Sequence, residues 1–367
     1  MILKKIKLQL KPLTPIHVWS GEELIYGLDV IDRDNKLCII DFEKLPHELL
    51  EELVRVSSNR IPDLLYKYRD RIVCKELLNA DSTLNEGSRI KAISSTLIPG
   101  SSLKGYIRTA IIYDLLNKLG KTTIINKLNS GIDLSKPPKN VSEGLEGALL
   151  RKPRPKRAGG FIDLLQLVLV SDPNIADYNL LIKKFIVYEI LDNRLKSIGE
   201  NHVIALTNGF LKYMITIIKP YNKESIRKID RERLIQQDID KLNEINRIDL
   251  IKSLKSFGCS ILSNEIELVN KIPELRNYLY MLNNWKDKYC GENIENCVIA
   301  RIGFMTGHLA KTILNIVRQY HLTLYKEILA YMTRQVKRVW DSRTIKLTTF
   351  DQKLVGIGWC ELCLQEK

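Results

Sequence analysis

The sequence shows no long apolar run and no pattern typical of a secretory leader, and both observations favour a protein that is neither membrane-spanning nor exported. Its longest apolar runs, such as residues 164–170, fall well short of the roughly 20 residues that cross a bilayer. Residues 1–15 alternate like a strand and show no apolar core followed by a cleavage site. We therefore expect a soluble, cytoplasmic protein with no membrane partner.

Cysteine is scarce and odd in number, with seven in 367 residues, which argues against a disulfide framework. Cys360 and Cys363 form a C-x-x-C inside a strand-like segment, where residues three apart face opposite sides. Cys290 and Cys297 are too loosely spaced to complete a zinc site with them. The pattern predicts ordinary thiols, and we expect no metal and no cofactor.

Acidic residues are too few to balance the basic ones: 57 Lys and Arg stand against 43 Asp and Glu, a net charge of +14. Such an excess is typical of proteins that bind a polyanion, most often a nucleic acid. A thermophile-like surface rich in Lys, Glu and Ile would explain the high charge but not its imbalance. The charge therefore favours a nucleic-acid partner.

The order of predicted elements indicates an α+β fold with antiparallel sheets covered by helices. A strand at 2–10 and a hairpin at 28–45 with Asp-Asn near its turn come first. The clearest helix runs from Ser101 to Gly120, whereas 121–160 is expected to be mostly loop. The remaining predictions are a helical stretch at 46–79 broken at Pro62, strands at 161–170, 184–191 and 209–219, helices at 222–285 and from about 312 to 340, and a terminal hairpin formed by 343–350 and 356–365.

Residues 97–110, LIPGSSLKGYIRTA, combine a turn, a helix start and two cations. Ser101 or Ser102 is expected to cap the helix, and Lys104 and Arg108 share one face of it because they are four residues apart. That face lies beside a predicted apolar stripe formed by Leu103, Ile107, Ala110 and Ile111. Backbone N–H groups, a hydroxyl and two cations near a helix start are a phosphate-binding arrangement. The alternative is a capped amphipathic helix with solvated basic residues.

Four segments in order resemble RAMP proteins, the RRM-like subunits of CRISPR effectors. They are LTPIHVWSGEEL at 13–24, IPGSSLKGYIRTA at 98–110, ARIGFMTGHLAKT at 300–312 and GIGWCEL at 356–362. The last two are most similar to the subfamily of the fifth subunit of type III-A Csm complexes. Trp19 departs from this pattern, because the family often has glycine there.

The resemblance implies two RRM-like, ferredoxin-like domains with helical insertions, at residues 1–205 and 206–367. The insertions are expected at about 44–90 and 121–160. It also implies binding of crRNA without catalysis, capping of its 3′ end, and a role in crRNA maturation and antiviral defence. The implied partners are the neighbouring backbone RAMP subunit, the small helical subunit and a host trimming nuclease.

The expected RNA-binding residues lie in four segments and share a positive charge, a hydroxyl, an imidazole or a flexible backbone. They are His17, Ser101, Ser102, Lys104, Arg108, Arg151, Lys152, Arg154, Lys156, Arg157, Arg301, Gly303, Gly307 and Lys311.

A structural turn is the alternative for residues 300–312, and a solvated basic loop is the alternative for 151–157. ATP binding is not expected at residues 300–312, because Lys311 does not directly follow a glycine as a P-loop requires.

Two other functions stay open. A metal-independent endoribonuclease would use His17 or His308 as general acid or base, although the sequence indicates no partner for either residue. A capping RAMP subunit of a Cmr-type complex is the second alternative.

Overall fold

A computed structural model describes residues 2–136, 141–153, 161–218, 249–292, 296–333 and 344–366. These residues form a 13-stranded sheet, a separate two-stranded sheet and helices packed on the large sheet. The mixed architecture of helices and a large sheet is confirmed. The boundary expected between residues 205 and 206 falls inside one long strand, and the division into two RRM-like domains stays a prediction.

The two sheets contain fifteen strands among the described residues. They are β1 (Ile2–Pro12), β2 (Trp19–Ile25), β3 (Val30–Arg33), β4 (Lys36–Ile40), β5 (Cys74–Ala80), β6 (Arg89–Ile93), β7 (Arg151–Pro153), β8 (Phe161–Asp163), β9 (Val168–Val170), β10 (Asn174–Leu191), β11 (Arg194–Ile218), β12 (Cys297–Arg301), β13 (Thr344–Phe350), β14 (Lys353–Gly356) and β15 (Trp359–Glu366).

The main path of the sheet runs β12-β15-β1-β11-β10-β5-β4-β3. Its pairs are antiparallel except for β10 with β5, and a short parallel contact also joins β11 to β6. The hairpin predicted at 28–45 is confirmed as β3–β4. Asp34 and Asn35 take left-handed φ values of 51° and 60° in its turn, the conformation that favours this residue pair in two-residue hairpins.

The helices are α1 (His47–Arg55), α2 (Ile61–Lys67), α3 (Gly100–Asn117), α4 (Lys121–Gly131), α5 (Glu143–Leu150), α6 (Leu250–Val269), α7 (Arg276–Cys290), α8 (Leu314–Tyr320) and α9 (Leu322–Thr333). The loop expected at 121–160 was wrong, because α4, α5 and β7 lie there. Pro62 occupies the first turn of α2 and starts a helix rather than breaking one. Of the long helical prediction at 222–285, residues 222–248 lie outside the described residues.

The C-terminal strands differ from the predicted hairpin. Residues of β13 pair with β14 and β10, whereas β15 lies between β12 and β1 in the main sheet. The turn between β14 and β15 therefore moves the chain from one part of the sheet to another. This places GIGWCEL beside the first strand of the molecule.

Three disulfides link elements that are neighbours in the fold, so the expectation of no disulfide framework was wrong. Each pair joins two strands or two helices that lie side by side although 31 to 66 residues separate them in sequence. The pairs are Cys38–Cys74, Cys259–Cys290 and Cys297–Cys363. Cys360 is the remaining thiol; it is buried and faces the side of β15 opposite Cys363.

Candidate nucleic-acid interface

Helix α3 buries the apolar stripe predicted for it. Leu103, Ile107, Ala110 and Ile111 are all at most 2% exposed and belong to the main core. On the same helix, Tyr106 packs against Phe257 of α6 with ring centroids 5.3 Å apart. The inner face of α3 is therefore scaffold, and only its outer face is available for binding.

The start of α3 is built differently from the serine cap we expected. Pro99 is the cap residue and neither serine caps the helix. Instead the N–H of Gly100 donates to Oδ1 of Asp172 over 2.8 Å. A Cβ on Gly100 would lie 2.2 Å from the carbonyl oxygen of Ser171, so only glycine allows this approach. Because a carboxylate already accepts from this helix end, the phosphate site predicted at its first N–H groups is not supported.

Lys104 and Arg108 lie beside the stripe, as predicted, but do not converge on one site. Lys104 is half-buried and borders a shallow depression with Ser101 and Asp172. Arg108 turns toward α5, where its guanidinium contacts Glu146 with Nη2–Oε2 at 2.7 Å. Arg108 is therefore engaged within the protein, and Lys104 is the cation of this pair that faces outward.

The segment at 300–312 makes a tight turn, which we call the glycine turn, against the segment at 13–24. Gly303 has a φ of 111°, and a Cβ there would lie 2.6 Å from the carbonyl oxygen of His17. The N–H of Phe304 donates to that same oxygen over 2.6 Å. Gly307 also has a positive φ, 86°, with no atom within 4 Å of its Cβ position. The two glycines thus bring two sequence motifs together, and Gly307 leaves backbone open on the outer side.

His17 is completely buried beneath this turn. Its Nδ1 lies 2.8 Å from the carbonyl oxygen of Ile204, and its ring is edge-on to Phe304 at 5.7 Å. Burial lowers the pKa of His17 to about 4, so the ring is neutral near pH 7. Nδ1 then carries the proton, and Nε2 has no hydrogen-bond partner among the described residues. An RNA contact by His17 is not supported, because the ring does not reach solvent.

Arg301 also lies inside the protein rather than beside the turn as an exposed cation. Its Nη1 is 2.8 Å from Oε2 of Glu265 on α6, and its Nε donates to the carbonyl oxygen of Ile357. Its guanidinium lies over the ring of Trp359, whose Nε1 donates to the hydroxyl of Tyr278. The structure therefore argues against the RNA contact predicted for Arg301 and makes it a core residue that links β12, α6 and β15.

Three of the four motif segments meet at one groove, which we call the central groove. It lies between the outer face of α3, the start of β2 and the glycine turn, and its volume is about 360 Å³. Its lining includes Trp19, Ser102, Gly105, Thr109, Phe304 and Lys311. The sequence predicted Ser102 and Lys311 as site residues, and the fold brings them together here from positions 209 residues apart.

Sequence reasoning missed the aromatic part of the groove. Trp19 is 43% exposed, and its Nε1 donates to the carbonyl oxygen of Glu22 over 2.8 Å. The ammonium of Lys91 lies 4.4 Å from the centre of the indole and 2.6 Å from Oε1 of Glu23. Phe304 is the next ring, at 6.3 Å. The departure from the family pattern at position 19 was a signal that could have identified this aromatic side chain.

The basic segment at 151–157 is only partly described. The backbone of Arg151 and Lys152 forms β7, which pairs with β8. Their side chains, and residues Arg154, Lys156 and Arg157, lie outside what the structure describes. Their RNA contacts stay predictions.

One cluster of potential metal ligands occurs among the described residues: Cys297, Glu361 and Cys363. The two sulfur atoms are bonded to each other, whereas a metal requires thiolates. The cluster therefore fits a structural disulfide rather than a zinc site.

No protein-family model matches the sequence, and no curated protein matches it significantly. Solved structures do match, and they show the class of fold. A chain in the cryo-EM structure of a Csm–crRNA–target RNA ternary complex of a type III-A CRISPR-Cas system superposes with a TM-score of 0.66 and 18% identity, covering 98% of this chain and 100% of that one.

A second solved structure with the same fold is that of a Csm5 protein. The crystal structure of T. onnurineus Csm5 superposes with a TM-score of 0.57 and 18% identity, covering 96% of this chain and 99% of that one. The resemblance inferred from the four sequence segments is therefore confirmed at the level of the fold. The described residues contain no helix that is long and apolar enough to span a membrane.

Proposed function

We propose that this chain is a non-catalytic crRNA-binding subunit of a type III-A CRISPR effector complex, where it caps the 3′ end of the crRNA. In this role it contributes to crRNA maturation and antiviral defence. The shared fold with Csm5 along nearly the whole chain supports this proposal, as does the assembly of a similar chain with crRNA.

The central groove is the observation that carries the proposal. Three motif segments from distant parts of the sequence converge there, with an exposed aromatic ring and cations at the rim. Aromatic rings beside cations are the usual combination in proteins that hold single-stranded nucleic acid. The net charge of +14 supplies the long-range attraction that such binding needs.

Binding fits the site better than catalysis does. General acid–base cleavage of RNA needs a titratable group within reach of the scissile phosphate. His17 is buried and its Nδ1 is engaged by Ile204. His308 lies against Tyr325, with Nε2 and the hydroxyl oxygen 3.4 Å apart. These placements argue against either histidine as the centre of an endoribonuclease.

The proposed protein partners follow from the resemblance. They are the neighbouring backbone RAMP subunit and the small helical subunit, and a host nuclease would trim the RNA end. A free RNA-binding module without such partners would differ in one respect: it would bind RNA with full affinity when alone.

The test is a titration of the purified chain with single-stranded crRNA at several salt concentrations, followed by incubation with precursor RNA. Five neutralised phosphates give a log–log slope of affinity against salt of roughly −3.5. We expect a slope of this size and no cleavage, with or without divalent metal. A flat titration would contradict RNA binding, and multiple-turnover cutting that is lost in His308→Ala would establish the endoribonuclease instead.

A further inference from the structure

We infer that the central groove is a pocket for one unpaired nucleobase of the RNA, stacked on the indole of Trp19. This inference rests on the proposed function and adds to it a specific contact to a base. Three features of the groove support the inference. They are an exposed ring held in place, an open space beside that ring, and two cations with different positions, one against the ring and one at the rim.

The indole of Trp19 is held in place although it contributes little to the core. Its Nε1 is tied to the carbonyl oxygen of Glu22, and the Lys91 ammonium covers one face at 4.4 Å. Glu23 holds Lys91 in turn, with Nζ–Oε1 at 2.6 Å. Trp19 remains 43% exposed although Lys91 lies over one face of the ring. A ring fixed before binding loses little freedom when a flat ligand stacks on it.

Gly105 provides the space beside the ring. It lies in the second turn of α3, is exposed, and has no atom within 4 Å of its Cβ position. Glycine in the middle of a helix is unfavourable by about 1 kcal/mol relative to alanine. No backbone reason for glycine is present here, since its φ is not positive and no neighbour approaches closely. The missing side chain leaves the groove open next to Trp19.

The charges around the groove separate into two groups. Lys91 is 15% exposed and paired with Glu23, so it supports the indole rather than a phosphate. Lys311 is exposed at the rim, where partial desolvation lowers its pKa. A base in the groove would place its own phosphate near this rim. A nucleobase has apolar faces and a polar edge, and the hydroxyls of Ser102 and Thr109 in the lining can hydrogen-bond to such an edge.

An apolar side chain of a partner protein is the competing occupant, and the cations favour the base over it. A groove built for an apolar side chain would gain nothing from an ammonium held against the opposite face of the indole. That ammonium makes the ring a better partner for an electron-rich, hydrogen-bonding heterocycle than for an aliphatic group.

The test compares two RNA strands of equal length and charge, one with bases and one fully abasic, by fluorescence anisotropy with the full chain. Trp19→Ala should weaken binding of the base-containing strand about 5- to 150-fold, the range for losing one stacked base. It should leave binding of the abasic strand unchanged. Trp19→Phe should retain most of the affinity because it keeps a ring.

Gly105→Leu is the second variant, because it fills the groove while leaving Trp19 in the sequence. Leucine forms helices well and the position is open, so the melting temperature should not fall. Its loss of affinity should match that of Trp19→Ala and again be confined to the strand with bases. The matched control is Tyr280→Ala on α7, an aromatic residue that is 69% exposed and outside the groove; it should bind both strands like the parent.

Equal affinities of parent and Trp19→Ala for the strand with bases would overturn the inference while leaving the proposed function intact. The inference is also overturned if Gly105→Leu weakens binding of a partner subunit but not binding of RNA. That result would assign the groove to a protein side chain. If the parent binds neither strand, the inference and the proposed function both fail.

Discussion

Arg301 and Glu265 form an ion pair inside the protein, with Nη1 and Oε2 2.8 Å apart and both side chains less than 10% exposed. The pair joins the end of β12 to α6, directly below the glycine turn. Tyr278 donates to the other carboxylate oxygen of Glu265 over 3.1 Å. The outer surface that we assign to RNA therefore rests on a buried polar network.

We predict that Glu265→Ala is strongly destabilising. It leaves the guanidinium of Arg301 buried without its carboxylate, and breaking a buried pair in this way costs about 3–5 kcal/mol. Urea denaturation measures the loss. The control is Glu200→Ala, which removes an ion pair to Lys184 from a carboxylate that is 50% exposed, and should cost about 1 kcal/mol or less. Similar losses in the two variants would contradict the buried pair.

The place of Arg301 could not have been derived from the sequence. The sequence predicts that an arginine beside a glycine turn in a basic protein is an exposed cation, and its partner Glu265 lies 36 residues away on helix α6. Asp172 is a similar case, since it reaches the start of α3 from 72 residues away. The stripe of α3 was predictable because the i, i+3 and i+4 spacing of its apolar residues is local. Local periodicity is readable from sequence, whereas long-range polar pairing is not.

We predict that reduction of the three disulfides lowers the stability of the protein. Cross-links restrict the unfolded chain, and each contributes about 2–4 kcal/mol. The pair Cys297–Cys363 has the widest separation, 66 residues, and joins the first residue of β12 to β15. We expect reductant to lower the melting temperature, and Cys297→Ser with Cys363→Ser to reproduce part of that decrease.

The control for the disulfide prediction is Cys360→Ser. Cys360 is a free thiol, so reductant should shift the melting temperature of this variant as much as that of the parent. An unchanged melting temperature on reduction would show that the three pairs do not contribute.

Because His17 is buried and neutral, we predict that the free energy of unfolding decreases in mild acid. Burial lowers its pKa from 6.5 to about 4 in the folded protein, so the unfolded chain binds a proton first as the pH falls. Stability from this group is therefore complete above about pH 6.5 and is lost as the pH drops toward 4. The full loss is about 3 kcal/mol, since one pKa unit corresponds to 1.36 kcal/mol.

The measurement for His17 is the free energy of unfolding between pH 4 and 7. His17→Asn keeps an N–H donor for the carbonyl oxygen of Ile204 and removes the titration, so its stability should depend less steeply on pH. His47→Gln is the matched control, because His47 lies exposed at the start of α1. A parent and a His17→Asn variant with parallel pH profiles would refute the prediction.

The two cations of α3 should behave differently, because only Arg108 has a carboxylate partner among the described residues. Lys104→Ala removes an outward-facing charge and should make the salt slope of RNA binding shallower by about 0.7, the change for one phosphate on a single strand. Arg108→Ala breaks the contact to Glu146 and should lower stability by about 1 kcal/mol or less, with the slope unchanged.

Leu103→Ala is the control for the scaffold, since Leu103 is fully buried in the stripe. It should cost about 2–5 kcal/mol of stability and leave the salt slope of the folded fraction as in the parent. Thermal unfolding and RNA titration of the three variants separate these roles. If Arg108→Ala reduces the slope as much as Lys104→Ala does, Arg108 exchanges Glu146 for a phosphate on binding, and the helix presents both cations to the RNA as its sequence predicts.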